Sequence, residues 1–187
     1  VLFRSKGKPI LAGDAGDGLS NEGRSYIAGI QKHMRELTLL FAPNINSYKR
    51  FQVATFAPTA IKWGRDNRTC ALRLVGQDQL LRVENRVPGG DVNPYLAVAG
   101  MIAAGLSGIE EKLELEPIFQ GNAYALETDR VPTSLKEARD LWANSTWVRE
   151  IFGAEVQKHY THMADTELDA FGRAVTDWER FRSFERM

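Results

Sequence analysis

The sequence predicts an α+β domain in which an antiparallel sheet packs against helices and the C-terminal part is helical. Three short runs, residues 59–63, 69–75 and 80–87, are β-branched or alternate between apolar and polar residues, as strands do. They lie next to one another in the middle of the chain, and helical periodicity dominates most of the remainder. Strands grouped together, rather than alternating regularly with helices, are typical of this fold class.

Length and composition set limits on the function. The 187 residues, of which 43% are hydrophobic, suffice for one compact domain over residues 1–187. The 24 Lys and Arg residues balance the 24 Asp and Glu residues, so the chain has no excess positive charge to hold nucleic acid or anionic lipid. Cys70 is the single cysteine, which rules out an internal disulfide and favours a reducing compartment. We expect a cytoplasmic protein with no nucleic-acid or membrane partner.

The first helix is predicted to begin at Ser20 and to end before Pro43. From Tyr26 onward, apolar residues recur every three or four positions and form one face of a helix. The residues on this face are Ile27, Ile30, Met34, Leu37 and Phe41. The next segment, NINSYKRF at residues 44–51, is rich in hydrogen-bonding side chains and is predicted to be a polar turn.

The strand block follows, and the four residues Gly76-Gln77-Asp78-Gln79 suggest a hairpin turn inside it. The period of two along the last strand separates two faces. One face holds Leu81, Val83, Asn85 and Val87, and the other holds Arg82, Glu84 and Arg86. The polar face is the candidate functional surface.

Helices account for the second half of the chain. Asn93 as N-cap and Pro94 in the first turn predict a helix start, and the small residues that follow permit a close backbone approach, which we expect to be to the sheet. Ser134 and Glu137 have capping-box spacing for a short helix, and a second short helix is predicted to end near Gly153. From residue 156 to residue 181, a helical period predicts one long amphipathic helix.

An unusual number of arginines is expected near Glu84. Arg82 and Arg86 share its strand face, Arg73 lies on the neighbouring strand, and flanking loops carry Arg50 and Arg68. One interpretation is a solvated ladder of ion pairs, each contributing about 1 kcal/mol at most. The other is a phosphoryl-transfer site, in which guanidinium groups bind phosphate and carboxylate while a glutamate holds a bridging cation.

Three segments resemble, in order and spacing, the C-terminal catalytic region of glutamine synthetases. They are NINSYKRF, APTAIKWGRDNRT and RVENRVPGGDVNPYLAVAGMIAAGLSGIE. The resemblance implies the antiparallel catalytic sheet of that family. It also implies ATP-dependent joining of an amine to the γ-carboxyl of glutamate through γ-glutamyl phosphate, with Mg²⁺ or Mn²⁺. A homo-oligomeric, dodecameric ring with active sites between neighbouring subunits is implied as well.

The resemblance also assigns roles to individual residues. Glu84 matches the glutamate of an RxExR motif that binds the metal bridging ATP and the transferred phosphoryl group. Arg86 matches a catalytic arginine that also grips glutamate, and Arg50 matches one that binds the substrate carboxylate. The positions matching nucleotide-binding arginines are Arg68, Arg73 and Arg82, of which Arg68 is also implied to be catalytic.

Phe56 departs from the family pattern. Enzymes that use ammonium carry a glutamate at this position, just before Ala-Pro, and a phenylalanine can neither accept a proton nor pair with ammonium. A more apolar and roomier amine site resembles the branch that makes γ-glutamyl derivatives of polyamines such as putrescine. Phe56 is thus a candidate substrate-binding residue, whose ring could stack on an aromatic amine or meet an alkylammonium through a cation–π contact. Three alternatives remain: Phe56 simply packs within its loop, the protein is a glutamine synthetase that uses ammonium, or it is a noncatalytic structural relative.

A second departure concerns the metal ligands. The family's N-terminal domain and most of its metal-binding glutamates should precede Gly18, and they have no counterpart in this chain. We therefore expect residues 1–187 to be the C-terminal part of a catalytic domain. Because a single carboxylate cannot hold a divalent ion that needs about six oxygen ligands, we expect this chain to be inactive alone.

Overall fold

The computed structural model describes residues 4–5, 7–14, 16–52, 55, 57–184 and 186. The strands are β1 (Arg4–Ser5), β2 (Lys8–Pro9), β3 (Trp63–Arg65), β4 (Leu72–Val75) and β5 (Arg82–Asn85). The helices are α1 (Asn21–Phe41), α2 (Ile45–Lys49), α3 (Pro94–Glu110), α4 (Leu135–Asn144), α5 (Thr146–Phe152), α6 (Ala154–Arg173) and α7 (Asp177–Phe184). The predicted combination of a small sheet with helices and a helical C-terminal part is confirmed.

Helix α1 has the predicted start and end. The Ser20 side chain accepts a hydrogen bond from the backbone N–H of Gly23 at 2.9 Å, which caps the first turn. The predicted apolar face is fully buried and forms the centre of the core, with Ile30, Met34 and Leu37 at 0% exposure. The helix therefore serves as the scaffold on which the other elements pack.

Helix α3 approaches α1 backbone to backbone. A Cβ atom built on Gly29 of α1 would lie 2.1 Å from the carbonyl oxygen of Ala104, and one on Gly108 of α3 would lie 2.1 Å from that of Ser25. The small residues thus permit the close approach that the sequence predicted. Its partner is α1, however, and not the sheet as expected.

The three-stranded sheet has the order β3-β4-β5. Strands β4 and β5 are antiparallel, with Arg73 opposite Glu84 and Leu74 opposite Val83. Strands β3 and β4 are parallel, with Gly64 opposite Arg73. The predicted antiparallel block is therefore correct for one pair and wrong for the other, because the loop 66–71 carries the chain back to the start of β3.

The predicted alternation of faces in β5 is confirmed. Val83 is 1% exposed and Val87 is fully buried, whereas Arg82 is exposed and Glu84 and Arg86 are partly exposed. The turn before β5 begins at Gly76 and contains a 3-10 helix, Asp78–Leu80, so the strand starts later than the sequence indicated. The sheet thus offers one apolar face to the core and one polar face to the surroundings.

Segment 44–51 is helical at its centre rather than a turn. Ser47 accepts a hydrogen bond from the backbone N–H of Asn44 at 3.0 Å, half of a capping box that starts α2. The polar side chains that suggested a turn therefore serve as caps of a one-turn helix.

The predicted long C-terminal helix is interrupted. Helix α4 begins after Ser134 and α5 ends before Gly153, as predicted, but α6 ends at Arg173 and α7 begins at Asp177. The Thr176 N–H donates to a carboxylate oxygen of Glu179 at 2.7 Å, and the Glu179 N–H donates to the Thr176 hydroxyl at 3.3 Å. This capping box starts a new helix.

Within the described ranges, no helix has the length and hydropathy needed to cross a bilayer.

Candidate active site

Glu84 lies between two arginines on the polar face of the sheet. Its Oε2 accepts a hydrogen bond from Nη1 of Arg73 at 2.9 Å, and its Oε1 accepts one from Nη1 of Arg86 at 2.9 Å. Both contacts follow from strand geometry: Arg73 is directly across the β4–β5 ladder, and Arg86 is two positions further along the chain. The Glu84 side chain is 40% exposed, whereas those of Arg73 and Arg86 are 16% and 13% exposed.

A second acid, Asp66, binds the other side of Arg73. Asp66 Oδ1 accepts a hydrogen bond from Nε of Arg73 at 2.8 Å and another from Nη2. The hydrogen bonds from Arg73 lower the pKa of Asp66 below its ordinary value, and the two carboxylates raise the pKa of Arg73 in turn. Asp66 is not among the residues predicted from the sequence, because the parallel pairing that brings the end of β3 beside Arg73 was not predicted either.

The loop that carries Asp66 is anchored by neighbouring side chains. The Asn67 carboxamide oxygen accepts a hydrogen bond from the Thr69 N–H at 3.0 Å, and its nitrogen donates to the carbonyl of Gly121 at 3.0 Å. The Thr69 hydroxyl accepts a hydrogen bond from the Ala123 N–H at 2.9 Å. Cys70, in the same loop, is buried, and burial raises the pKa of its thiol to about 11. Because the thiolate form is disfavoured, Cys70 is not a nucleophile.

Arg50 directly follows helix α2, and its guanidinium lies at Val87, just after the end of β5, beside a second polar cluster. One of its terminal nitrogens donates a hydrogen bond to the carbonyl of Val87, and burial lowers the pKa of its guanidinium while Asp91 opposes that shift. Asp91 accepts hydrogen bonds from the Ser47 hydroxyl at 2.5 Å and the Asn44 amide at 3.2 Å. Burial acts to raise the pKa of Asp91, but these hydrogen bonds outweigh it and the pKa is lowered. The sequence analysis did not identify Asp91.

The remaining predicted residues are not part of the Glu84 contact network that the structure describes. Arg68 is exposed in the loop 66–71, where its charge helps to lower the pKa of Asp66. Arg82 is exposed at the start of β5 and makes a long hydrogen bond, 3.4 Å, to the carbonyl of Leu80. Phe56 lies outside the described residues. Arg73, Glu84 and Arg86 are thus in direct contact, whereas Arg50, Arg68 and Arg82 make no contact with Glu84 that the structure describes.

The residues that the structure describes do not form a complete site for a divalent cation. Both carboxylate oxygens of Glu84 accept hydrogen bonds from arginines. Across the described part of the chain, no group of three or more His, Cys, Asp or Glu side chains is placed to hold a metal ion. Because Mg²⁺ and Ca²⁺ require six or more oxygen ligands, Glu84 could provide only one of them.

The network is better suited to an anion. Arg73 donates three of its five N–H groups to Asp66 and Glu84, which leaves one N–H on each terminal nitrogen without a partner among the described residues. Guanidinium groups fixed in this way match the geometry of phosphate and carboxylate oxygens. A partly open polar face with guanidinium groups already in place can therefore bind a phosphorylated ligand.

Comparison with known proteins adds the evolutionary context. The family model of the glutamine synthetase catalytic domain matches residues 1–183. The chain is 61% identical over 172 residues to the γ-glutamylethanolamide synthetase GlnA4 of Streptomyces coelicolor, covering 92% of this chain and 37% of that protein. It is 38% identical over 181 residues to a glutamate–isopropylamine ligase of a Pseudomonas species, covering 94% and 39%.

Solved structures show the same relationship. A structure described as a GmaS/ADP complex superposes with a TM-score of 0.86 at 28% identity, covering 96% of this chain and 43% of that one. The chain thus spans about two fifths of the length of these relatives.

Proposed function

This chain belongs to the glutamine synthetase family as part of the catalytic domain, and from that premise we propose that the protein containing it is an ATP-dependent glutamate–amine ligase. The observation that carries the proposal is the Arg73–Glu84–Arg86 network on the polar face of the sheet. Surface ion pairs contribute little to stability, so a fixed network of this kind is better explained by an anionic ligand.

The proposed reaction has two steps. An oxygen of the glutamate γ-carboxylate first attacks the γ-phosphorus of ATP, the bond to the β,γ-bridging oxygen breaks, and ADP leaves. The nitrogen of the amine then attacks the carbonyl carbon of γ-glutamyl phosphate, the bond from that carbon to the phosphoryl oxygen breaks, and phosphate leaves as the amine nitrogen loses a proton. Both steps develop negative charge on phosphoryl oxygens, which guanidinium groups stabilise.

Each site residue has a proposed part in these steps. Arg86 binds the phosphoryl group as it moves and orients glutamate, and Arg50, whose position the Val87 carbonyl fixes, binds the substrate carboxylate. The phosphates of the nucleotide are proposed to contact three further arginines, namely Arg68, Arg73 and Arg82. The exposure of Arg68 and Arg82 leaves their guanidinium groups accessible to such a ligand.

A divalent ion, Mg²⁺ or Mn²⁺, is part of the proposal although this chain does not hold one by itself. Such an ion screens the charge of the phosphates when it is bound. Glu84 is proposed to provide one ligand, and phosphate oxygens of the nucleotide, water molecules and further residues of the whole protein would provide the others. We accordingly expect no turnover from the isolated 187-residue polypeptide.

The proposed acceptor is a small amine other than ammonium. Phe56 stands where ammonium-using enzymes carry a glutamate, and two similar proteins are named for ethanolamide synthesis and for ligation of isopropylamine. The 61% identity to the first makes ethanolamine the acceptor to test before the polyamine putrescine. The dodecameric ring and the cytoplasmic location stay predictions.

The test uses the whole protein with glutamate, ATP and Mg²⁺ and compares ethanolamine, isopropylamine, putrescine and ammonium by mass spectrometry of the products. We expect ATP-dependent γ-glutamyl amide with an organic amine, and much less glutamine with ammonium. Glutamine as the main product would show instead a glutamine synthetase that uses ammonium. Absence of any ATP-dependent product would identify a noncatalytic relative.

A further inference from the structure

We propose that Asp66 is a positioning residue that holds Arg73 in the orientation needed to bind a phosphate of the nucleotide. The inference rests on the proposed function, since it assumes that Arg73 contacts the nucleotide. It concerns a residue that acts through its neighbour and does not itself touch the substrate.

Arg73 is bound by acids on two different edges. The edge formed by Nε and Nη2 donates to one oxygen of Asp66, while Nη1 donates to Glu84. Two acids at different edges fix the plane of the guanidinium, which a single acid would allow to rotate. The two N–H groups left over, one on each terminal nitrogen, are then available for an incoming anion.

Removing Asp66 changes which groups compete for Arg73. Without the acid at the Nε edge, the guanidinium can turn so that both terminal nitrogens donate to Glu84 in a bidentate pair. In that arrangement Glu84 takes the pair of N–H groups that the phosphate would use, and the three N–H groups left over point in other directions. Asp66 therefore keeps Glu84 and the phosphate from competing for the same N–H groups.

The backbone, rather than the side chain, determines where Asp66 lies. The residue has a φ of 49°, in the left-handed region, and its N–H donates to the carbonyl of Leu74 at 2.9 Å. The loop behind it is anchored through Asn67 and Thr69. Asp66 thus lies at the point where the chain leaves β3 and turns back toward β4, beside Arg73.

Stability does not account for this arrangement. The Asp66 side chain is 72% exposed, and an ion pair with so exposed a partner adds little to the free energy of folding. An anchored loop that holds Asp66 against Arg73 for so weak a surface contact suggests a role in binding.

The chain offers a matched control in Asp78. Like Asp66 it is an exposed aspartate in the left-handed region, with a φ of 46°, and its side chain makes no hydrogen bond or ion pair that the structure describes. Asparagine tolerates this backbone conformation, so Asp66→Asn and Asp78→Asn both preserve the fold and remove one charge. Asp66→Asn weakens the contact to Arg73 by removing its charge, although the amide oxygen can still accept, whereas Asp78→Asn changes no side-chain contact that the structure describes.

The experiment measures ADP binding to the whole protein by calorimetry, together with the KM for ATP and kcat. Loss of a charge-assisted contact predicts an ADP dissociation constant about five- to tenfold higher for Asp66→Asn. The KM for ATP should rise in parallel, and Asp78→Asn should bind ADP as the wild type does. If Asp66 acts through Arg73, Asp66→Asn should have no further effect in a protein that already carries Arg73→Ala.

Two results would overturn the inference. One is unchanged ADP affinity in Asp66→Asn, and the other is an equal additional loss when Asp66→Asn is combined with Arg73→Ala, which would indicate an effect independent of Arg73. If the protein is not an ATP-dependent ligase at all, the pattern is different, because the wild-type protein itself would then neither bind ADP nor form a γ-glutamyl amide or glutamine. That pattern would remove both proposals at once.

Discussion

The α1–α3 contact and the polar face of β4 and β5 differ in almost every physical respect. At the first, Gly29 and Gly108 allow two backbones to touch, and a Cβ on either would lie 2.1 Å from a carbonyl oxygen. At the second, charged side chains make contacts on a partly exposed surface. Close apolar packing contributes strongly to folding, whereas exposed ion pairs contribute about 1 kcal/mol or less. We therefore expect stability to depend mainly on the α1–α3 contact and the proposed chemistry to depend on the polar face.

The largest expected effect is on the free energy of unfolding, through the α1–α3 contact. Gly29→Ala places a methyl group against the Ala104 carbonyl, where backbone cannot move aside, and we expect a loss of about 3 kcal/mol or more in the free energy of unfolding. Gly172→Ala is the matched control, because a Cβ there meets nothing within 4 Å. Thermal denaturation followed by circular dichroism should show a large loss for the first variant and a slight gain for the second. Equal melting temperatures for Gly29→Ala and Gly172→Ala would show that the α1–α3 contact does not have the expected importance for stability.

On the polar face, the expected effect is on activity. Arg86→Lys keeps the positive charge but removes the planar fork, so γ-glutamyl amide formation by the whole protein should fall by about a hundredfold. The melting temperature should change little. A lysine variant with wild-type kcat/KM would show that Arg86 acts only as a point charge, and a parallel loss of stability would mean that the polar face also serves the fold.

Some parts of this structure could be predicted from the sequence and others could not. Periodicity and caps correctly predicted α1, α3 and the polar face of β5, because each of these depends on neighbours in sequence. The parallel pairing of β3 with β4 was not predictable from local pattern, and the position of Asp66 beside Arg73 depends on it. Asp91 was missed for a similar reason, since its partner Ser47 is distant in sequence. The break at Thr176, in contrast, had a local signal in the spacing of Thr176 and Glu179.

The smallest effect concerns pH. Hydrogen bonds from Arg73 depress the pKa of Asp66, so the ion pair contributes its stabilisation above the ordinary aspartate pKa and loses it as the pH falls through the depressed value. The melting temperature of wild type should slightly exceed that of Asp66→Asn at neutral pH, and the difference should shrink in acid. A difference that widens on acidification would contradict this assignment.

The proposed role of Glu84, whose carboxylate lies between Arg73 and Arg86, is in the reaction and not in the fold. It is tested by measuring two quantities on one variant of the whole protein, Glu84→Gln: the melting temperature and the rate of γ-glutamyl amide formation. For Glu84→Gln we expect a melting temperature within about 2 °C of wild type and a rate of γ-glutamyl amide formation lower by about a hundredfold or more. An unchanged rate would show that Glu84 does not serve the reaction. A lower rate accompanied by a large fall in the melting temperature would show that Glu84 serves the fold.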